Sequence, residues 1–114
     1  MEILTKKITA EHLKSMAEEL FGNLVKAVVD VRLQRIAINA ELHSDEESLL
    51  LENGSRQEDL WGINLYPDYE KSNSEFVEFD SMINLRPSQG NRTRGVEDLR
   101  IRKQIVDVLQ QWIL

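Results

Sequence analysis

The stretch VKAVVDVRLQRIAINAEL, residues 25–42, decides the fold class. Val25, Ala27, Val29 and Val31 alternate with Lys26, Val28, Asp30 and Arg32, while Ile36, Ile38, Ala40 and Leu42 alternate with Ala37, Asn39, Glu41 and His43. Successive side chains on a strand point to opposite faces, so each half of the stretch reads as a strand with one apolar side. Folding the chain back at Leu33–Gln34 pairs 31 with 36, 29 with 38, 27 with 40 and 25 with 42. Val25, Ala27, Val29, Val31, Ile36, Ile38, Ala40 and Leu42 then share a face, and Lys26 stands opposite Glu41 on the other, a favourable cross-strand pair. The turn lacks the Asn-Gly chemistry of the tightest hairpins, so its type stays open.

Helices flank this hairpin on both sides. Upstream, Thr9 is placed to cap a helix over residues 10–21 that Gly22 stops, with Ile8 and Leu13 as a hydrophobic staple. Leu13, Met16, Ala17, Leu20 and Phe21 form its apolar stripe. Downstream, Ser44-Asp45-Glu46-Glu47 reads as a capping box opening a second helix, which Asn53-Gly54 ends. Ser55–Glu58 reads as a further cap or single turn. Trp61, Ile63 and Leu65 then alternate with Gly62, Asn64 and Tyr66 up to Pro67, which closes that strand. Residues 75–86 read as another extended segment, with Val77, Phe79, Ser81, Ile83 and Leu85 on one side and room for a bulge at Asp80–Ser81.

The last helix is expected over Leu99–Ile113 with Asp98 as its cap. Ile101, Ile105, Val108, Leu109 and Trp112 make its main stripe, and Leu99, Val106 and Ile113 widen the apolar arc. An arc that broad sits in a deep groove or against a second copy of the chain. The order α-β-β-α-β-β-α implies an α+β domain with a mainly antiparallel sheet of about four strands. Its three helices would lie mainly on one face. The other face would then carry Lys26, Asp30, Asn39, Glu41, His43, Asn64, Glu78 and Asp80 uncovered. Trp61 and Trp112 belong to the core in this reading.

Composition narrows the function classes. The 114 residues suit one domain, 1–114, with a core of its own. With no cysteine, disulfides, thiolate metal sites and a cysteine nucleophile are excluded. Charged residues interrupt every apolar pair of the first segment, so no signal-peptide core is expected, and no apolar run approaches the ~20 residues of a membrane span. The default expectation is a cytoplasmic protein. A net charge of -6 argues against general nucleic-acid binding. The charge is uneven, however: residues 41–80 hold twelve acids against Arg56 and Lys71, whereas residues 86–103 hold six basic residues against Glu97 and Asp98.

Two segments concentrate chemistry. The loop from Arg86 to Gly95 gathers guanidinium, amide and hydroxyl donors ahead of a helix, which suits a phosphate or carboxylate, or contact with a protein. Its candidate residues are Arg86, Gln89, Asn91, Arg92 and Arg94, joined by Arg102 from within the last helix. It lacks the spacing of a P-loop. The competing account is a polar connector whose arginines pair with the acidic middle of the chain, with Arg102 snorkelling along the core edge. The second segment is Glu41-Leu42-His43-Ser44-Asp45-Glu46. Here Glu41, His43 and Asp45 are candidate ligands for a divalent metal, the one cofactor these residues suggest, in a phosphoester-type hydrolase. The competing account pairs Glu41 with Lys26, assigns Asp45 and Glu46 to the helix dipole and leaves His43 at the surface.

Three stretches, AELHSDEE at 40–47, GSRQEDLWGINLYP at 54–67 and MINLRPSQGNRTRGVED at 82–98, resemble a family of short prokaryotic proteins catalogued as a domain of unknown function. The resemblance covers nearly the whole chain and implies a stand-alone domain of bacteria or archaea. It transfers no activity, cofactor or catalytic residue. The sequence therefore favours a non-enzymatic binding or regulatory domain that contacts a protein or a small anion, with the metal-assisted hydrolase as the alternative.

Overall fold

A computed structural model describes all residues, Met1–Leu114. The elements run β1 (Glu2–Ile3), α1 (Ala10–Leu20), β2 (Val25–Asp30), β3 (Arg35–Ile38), α2 (His43–Glu52), β4 (Leu60–Leu65), β5 (Val77–Glu78) and α3 (Leu99–Trp112), with single 3-10 turns at Gln57–Asp59, Met82–Asn84 and Pro87–Gln89. The class is α+β with three helices, as expected. The sheet has five strands in the order β1-β3-β2-β4-β5, and every pairing is antiparallel. The additional strand, β1, is two residues long and too short to leave an alternation in the sequence.

The hairpin forms with its register moved by two residues. Ala27 pairs Ile38, Val29 pairs Ile36 and Asp30 pairs Arg35. The cause is the turn. Asp30 Oδ1 accepts from the backbone N–H of Arg32 at 2.9 Å and of Leu33 at 2.8 Å, which holds a four-residue connection rather than a two-residue one. A slip of two keeps the paired side chains on their expected faces, so the apolar set survives as far as Ile38. The Lys26–Glu41 pair does not. Asn39, at φ 70°, ends β3 and donates its N–H to the Lys26 carbonyl, while Leu42 is left exposed.

The helices divide between the faces instead of sharing one. On the first face, Leu13, Met16 and Ala17 of α1 and Ile105, Val108 and Leu109 of α3 bury Val25, Ala27, Val29, Ile36, Ile38, Trp61, Ile63 and Leu65. Thr9 caps α1 by accepting from the His12 N–H at 3.1 Å, and Asp98 caps α3 by accepting from Arg100 at 2.8 Å, both at the expected positions. The second face is covered by α2, whose Leu50 packs with Val28, Ala37 and Leu60. Lys26, Asp30 and Asn64 on that face are therefore at least half-buried, not open to water.

The segment 79–90 departs furthest from expectation. Beyond β5 it makes 3-10 turns instead of a strand. In place of a strand's backbone, the Asn84 side chain pairs with the free edge of β4: its Nδ2 donates to the Gly62 carbonyl at 3.0 Å and its Oδ1 accepts from the Gly62 N–H at 2.8 Å. Ser81 caps the same turn. A Cβ on Gly62 would lie 2.6 Å from Ser81, so only glycine permits this approach.

Candidate functional site

The loop 86–95 spends most of its donors on the protein itself. Asn91 is 4% exposed, and its Nδ2 donates to the carbonyls of Asn84 at 2.7 Å, Thr93 at 3.2 Å and Gly95 at 2.8 Å, while its Oδ1 accepts from the Glu97 N–H. Arg86 stacks on Trp61 at 4.1 Å from the ring centre and donates to the carbonyls of Gln57 and Leu60. Gln89 Nε2 donates to the Glu58 carbonyl. Arg94 pairs with Asp80 at 2.8 Å. Arg92 alone holds its side chain out with no partner, its backbone N–H being bound to Glu97. Of the loop's arginines, Arg94 thus pairs with an acid from the middle of the chain, Arg86 is held by carbonyls and a ring, and the Arg92 side chain has no partner.

The segment 41–46 separates into buried and exposed parts. Glu41 and Asp45 are exposed, and His43 is 8% exposed. No group of three His, Cys, Asp or Glu side chains is arranged to hold a metal ion, and of the candidates Glu41, His43 and Asp45 only His43 is buried. α2 starts at His43 with Leu42 as a cap that offers no side-chain bond, rather than at a Ser44 capping box. The reason lies in what its first turn buries. His43 Nε2 donates to the Ile63 carbonyl at 2.8 Å, which fixes the proton on that nitrogen. Glu46 Oε2 accepts from the Ala40 N–H at 3.0 Å, and its Oε1 is buried without a partner. Burial pushes the Glu46 carboxyl up to about 9, and burial likewise lowers the His43 imidazole against the opposing pull of its carbonyl partner. In both cases burial favours the neutral form.

On the second face the start of α2 lies within electrostatic reach of the loop's Arg94. Lys26, Asp80 and Arg94 all act electrostatically on His43. Around them, Tyr66 Oη and Asn64 Nδ2 both donate to Glu78 Oε1, at 3.0 and 2.8 Å, beside the Arg94–Asp80 pair. This is a connected, largely satisfied network that holds α2, β4, β5 and the loop together. It explains the polar residues structurally.

A different place has donors to spare. Between residues 71–79 and α3 lies a hollow of about 400 Å³, walled by Phe76, Val77, Phe79, Val106 and Leu109. Its charged lining residues are Lys71 and Arg102, with no carboxylate among them. The Arg102 guanidinium lies 4.7 Å above the Phe79 ring and donates through Nε to the Val96 carbonyl at 2.6 Å. Its two terminal nitrogens remain uncommitted. Of the residues nominated from sequence, Arg102 lines this hollow, while Arg86 and Gln89 line a separate, wholly polar one with Arg56, Gln57, Glu58 and Ser88. Lys71, Phe76 and Phe79 were not nominated: Lys71 is an isolated cation in an acidic stretch, and nothing local links it to a helix thirty residues on.

No helix is long and apolar enough to cross a membrane. No curated protein and no solved structure matches the chain. A family model covers residues 2–112, nearly the whole length, and the chain belongs to the family it describes, Protein of unknown function (DUF5674).

Proposed function

We propose that this chain is a cytoplasmic, non-enzymatic binding module that captures a small organic anion in the hollow between residues 71–79 and α3. The observation that carries this reading is the lining: two cations and no carboxylate, over an apolar wall, in a protein of net charge -6. A volume of about 400 Å³ is within the usual range for small-molecule sites. An arginine fork with free terminal nitrogens suits a carboxylate or phosphate, and the Phe79 ring 4.7 Å from it shields one face from water. A binding role fits better than catalysis because the hollow offers Ser72 and Ser74 hydroxyls with no histidine beside them. The loop 86–95 is the weaker anion site, since its amides and most of its arginines are already bonded within the fold.

Thermal shift and calorimetry with acetate, benzoate and inorganic phosphate test this directly. At a hundredfold excess over Kd, a binding anion should add about 2.7 kcal/mol to the unfolding free energy. Arg102→Gln should abolish the shift, and Arg94→Gln should leave it. If no anion shifts the transition, or if Arg94→Gln removes the effect and Arg102→Gln does not, the assignment fails.

A second reading concerns a protein partner. Leu99 is 75% exposed on α3 and Val106 is partly exposed further along the same helix, which favours a homodimer through the outer side of α3. Sedimentation at low micromolar concentration, with Leu99→Glu as control, decides it.

A further inference from the structure

We infer that the anion is a saturated monocarboxylate, its head at Arg102 and its chain in a second chamber beyond Lys71. This rests on the anion-binding reading above and adds the ligand's shape. The second chamber, also about 400 Å³, lies between the start of α1, the end of α3 and residues 67–72. Its walls include Leu13, Pro67, Tyr69, Phe76, Ile113 and Leu114.

The two chambers adjoin, because Lys71, Ser72, Phe76 and Gln110 line both. Lys71 marks the boundary: its Nζ donates to the Ile113 carbonyl at 2.6 Å, tying the 67–76 segment to the end of α3. Their charges differ in a way that orients a ligand. The first chamber has Arg102 with its terminal nitrogens free and no carboxylate, whereas the second has Glu70 among its lining, Lys71 bonded to the Ile113 carbonyl, and mostly apolar walls. An anionic head is stabilised only in the first, and an uncharged chain loses least in the second. A phosphate or acetate would use half of this space. A carboxylate with a flexible apolar chain would use all of it.

The test is calorimetry of the full chain with acetate, butyrate, hexanoate, octanoate and decanoate, and with octanol as the uncharged match. Affinity should rise about fourfold per added methylene until the second chamber is filled, then level off. Octanol should bind at least tenfold more weakly than octanoate. Ala10→Trp, at an exposed position that lines only the second chamber, should cost octanoate at least tenfold and leave butyrate unchanged. Circular dichroism of that variant checks that it folds, and Ala10→Phe provides a smaller plug if it does not. Short anions that bind with no gain from chain length would overturn the two-chamber site while leaving the anion reading intact. Octanol binding as well as octanoate would overturn the head-group assignment, and no binding by any member would overturn both.

Discussion

One sheet, covered twice, shows two ways of making an interior. Beneath α1 and α3 the contacts are apolar, a cluster of nineteen buried residues from Leu4 to Ile113. Beneath α2 the buried apolar cluster has four members, flanked by partly buried Ile3, Leu49 and Ile83. Beside it Asp30, His43, Glu46, Asn64 and Asn84 are all buried and hydrogen-bonded, though Glu46 Oε1 and Asn64 Oδ1 lack partners. Apolar packing tolerates gaps at its margin, and one such margin holds the hollow beside Arg102. A buried polar network tolerates very few unpaired groups, because each costs about 1–3 kcal/mol. The polar face therefore looks like a site in the sequence and works as a joint, whereas the apolar face looks like a core and carries the cavity.

That contrast is broken most directly at Asn84. Asn84→Ala strips the Gly62 N–H and carbonyl of their side-chain partner and removes one of the two donors to the Arg94 carbonyl, which keeps the Ser81 N–H. A loss of about 3 kcal/mol is expected in urea unfolding. A cost below about 1 kcal/mol would mean that water replaces the amide easily and that the joint is not structural.

Glu46 sharpens the contrast through pH. Its folded-state value of about 9 stands above the ordinary 4.5, so between these limits the folded chain holds a proton that the unfolded chain has released. Its contribution to stability is fully present below about pH 4.5 and is lost as the pH rises through about 9. His43 is shifted the other way: its contribution is present above its ordinary 6.5 and is lost as the pH falls towards its depressed folded value. Stability should therefore decline steadily on the alkaline side of pH 7. Glu46→Gln, which keeps an acceptor for the Ala40 N–H, should raise stability at pH 9 by about 2 kcal/mol and flatten that decline. Chemical denaturation at pH 6, 7.5 and 9 reads both effects, and an unchanged slope in the variant would show that Glu46 is not the titrating group.

Much of this fold was legible from local signals. The caps Thr9 and Asp98, the alternation across 25–38 and 60–65, and the helix stripes report local geometry, and each marks an element that forms. What failed depended on distant partners. The hairpin register was decided by Asp30 holding a longer turn, and α2 began early because Ile63 and Ala40 bind its first side chains. The segment 79–86 left the sheet because Asn84 could satisfy Gly62 from the side. The candidate site divided likewise. Arginines in a glycine-containing loop look available in sequence, but Asp80, Trp61 and neighbouring carbonyls engage Arg86 and Arg94. Lys71 and Arg102 are brought to one cavity by tertiary packing alone.

The most direct measurement of the functional account is a two-dimensional NMR titration of isotope-labelled protein with hexanoate, following backbone amides and arginine Nε–H groups. The account predicts saturable shifts at Phe76–Phe79, at the Arg102 Nε–H and along α3 to Gln110, with the 86–95 loop still. Shifts centred on Arg92 and Arg94, or no saturable shift at all, would contradict it.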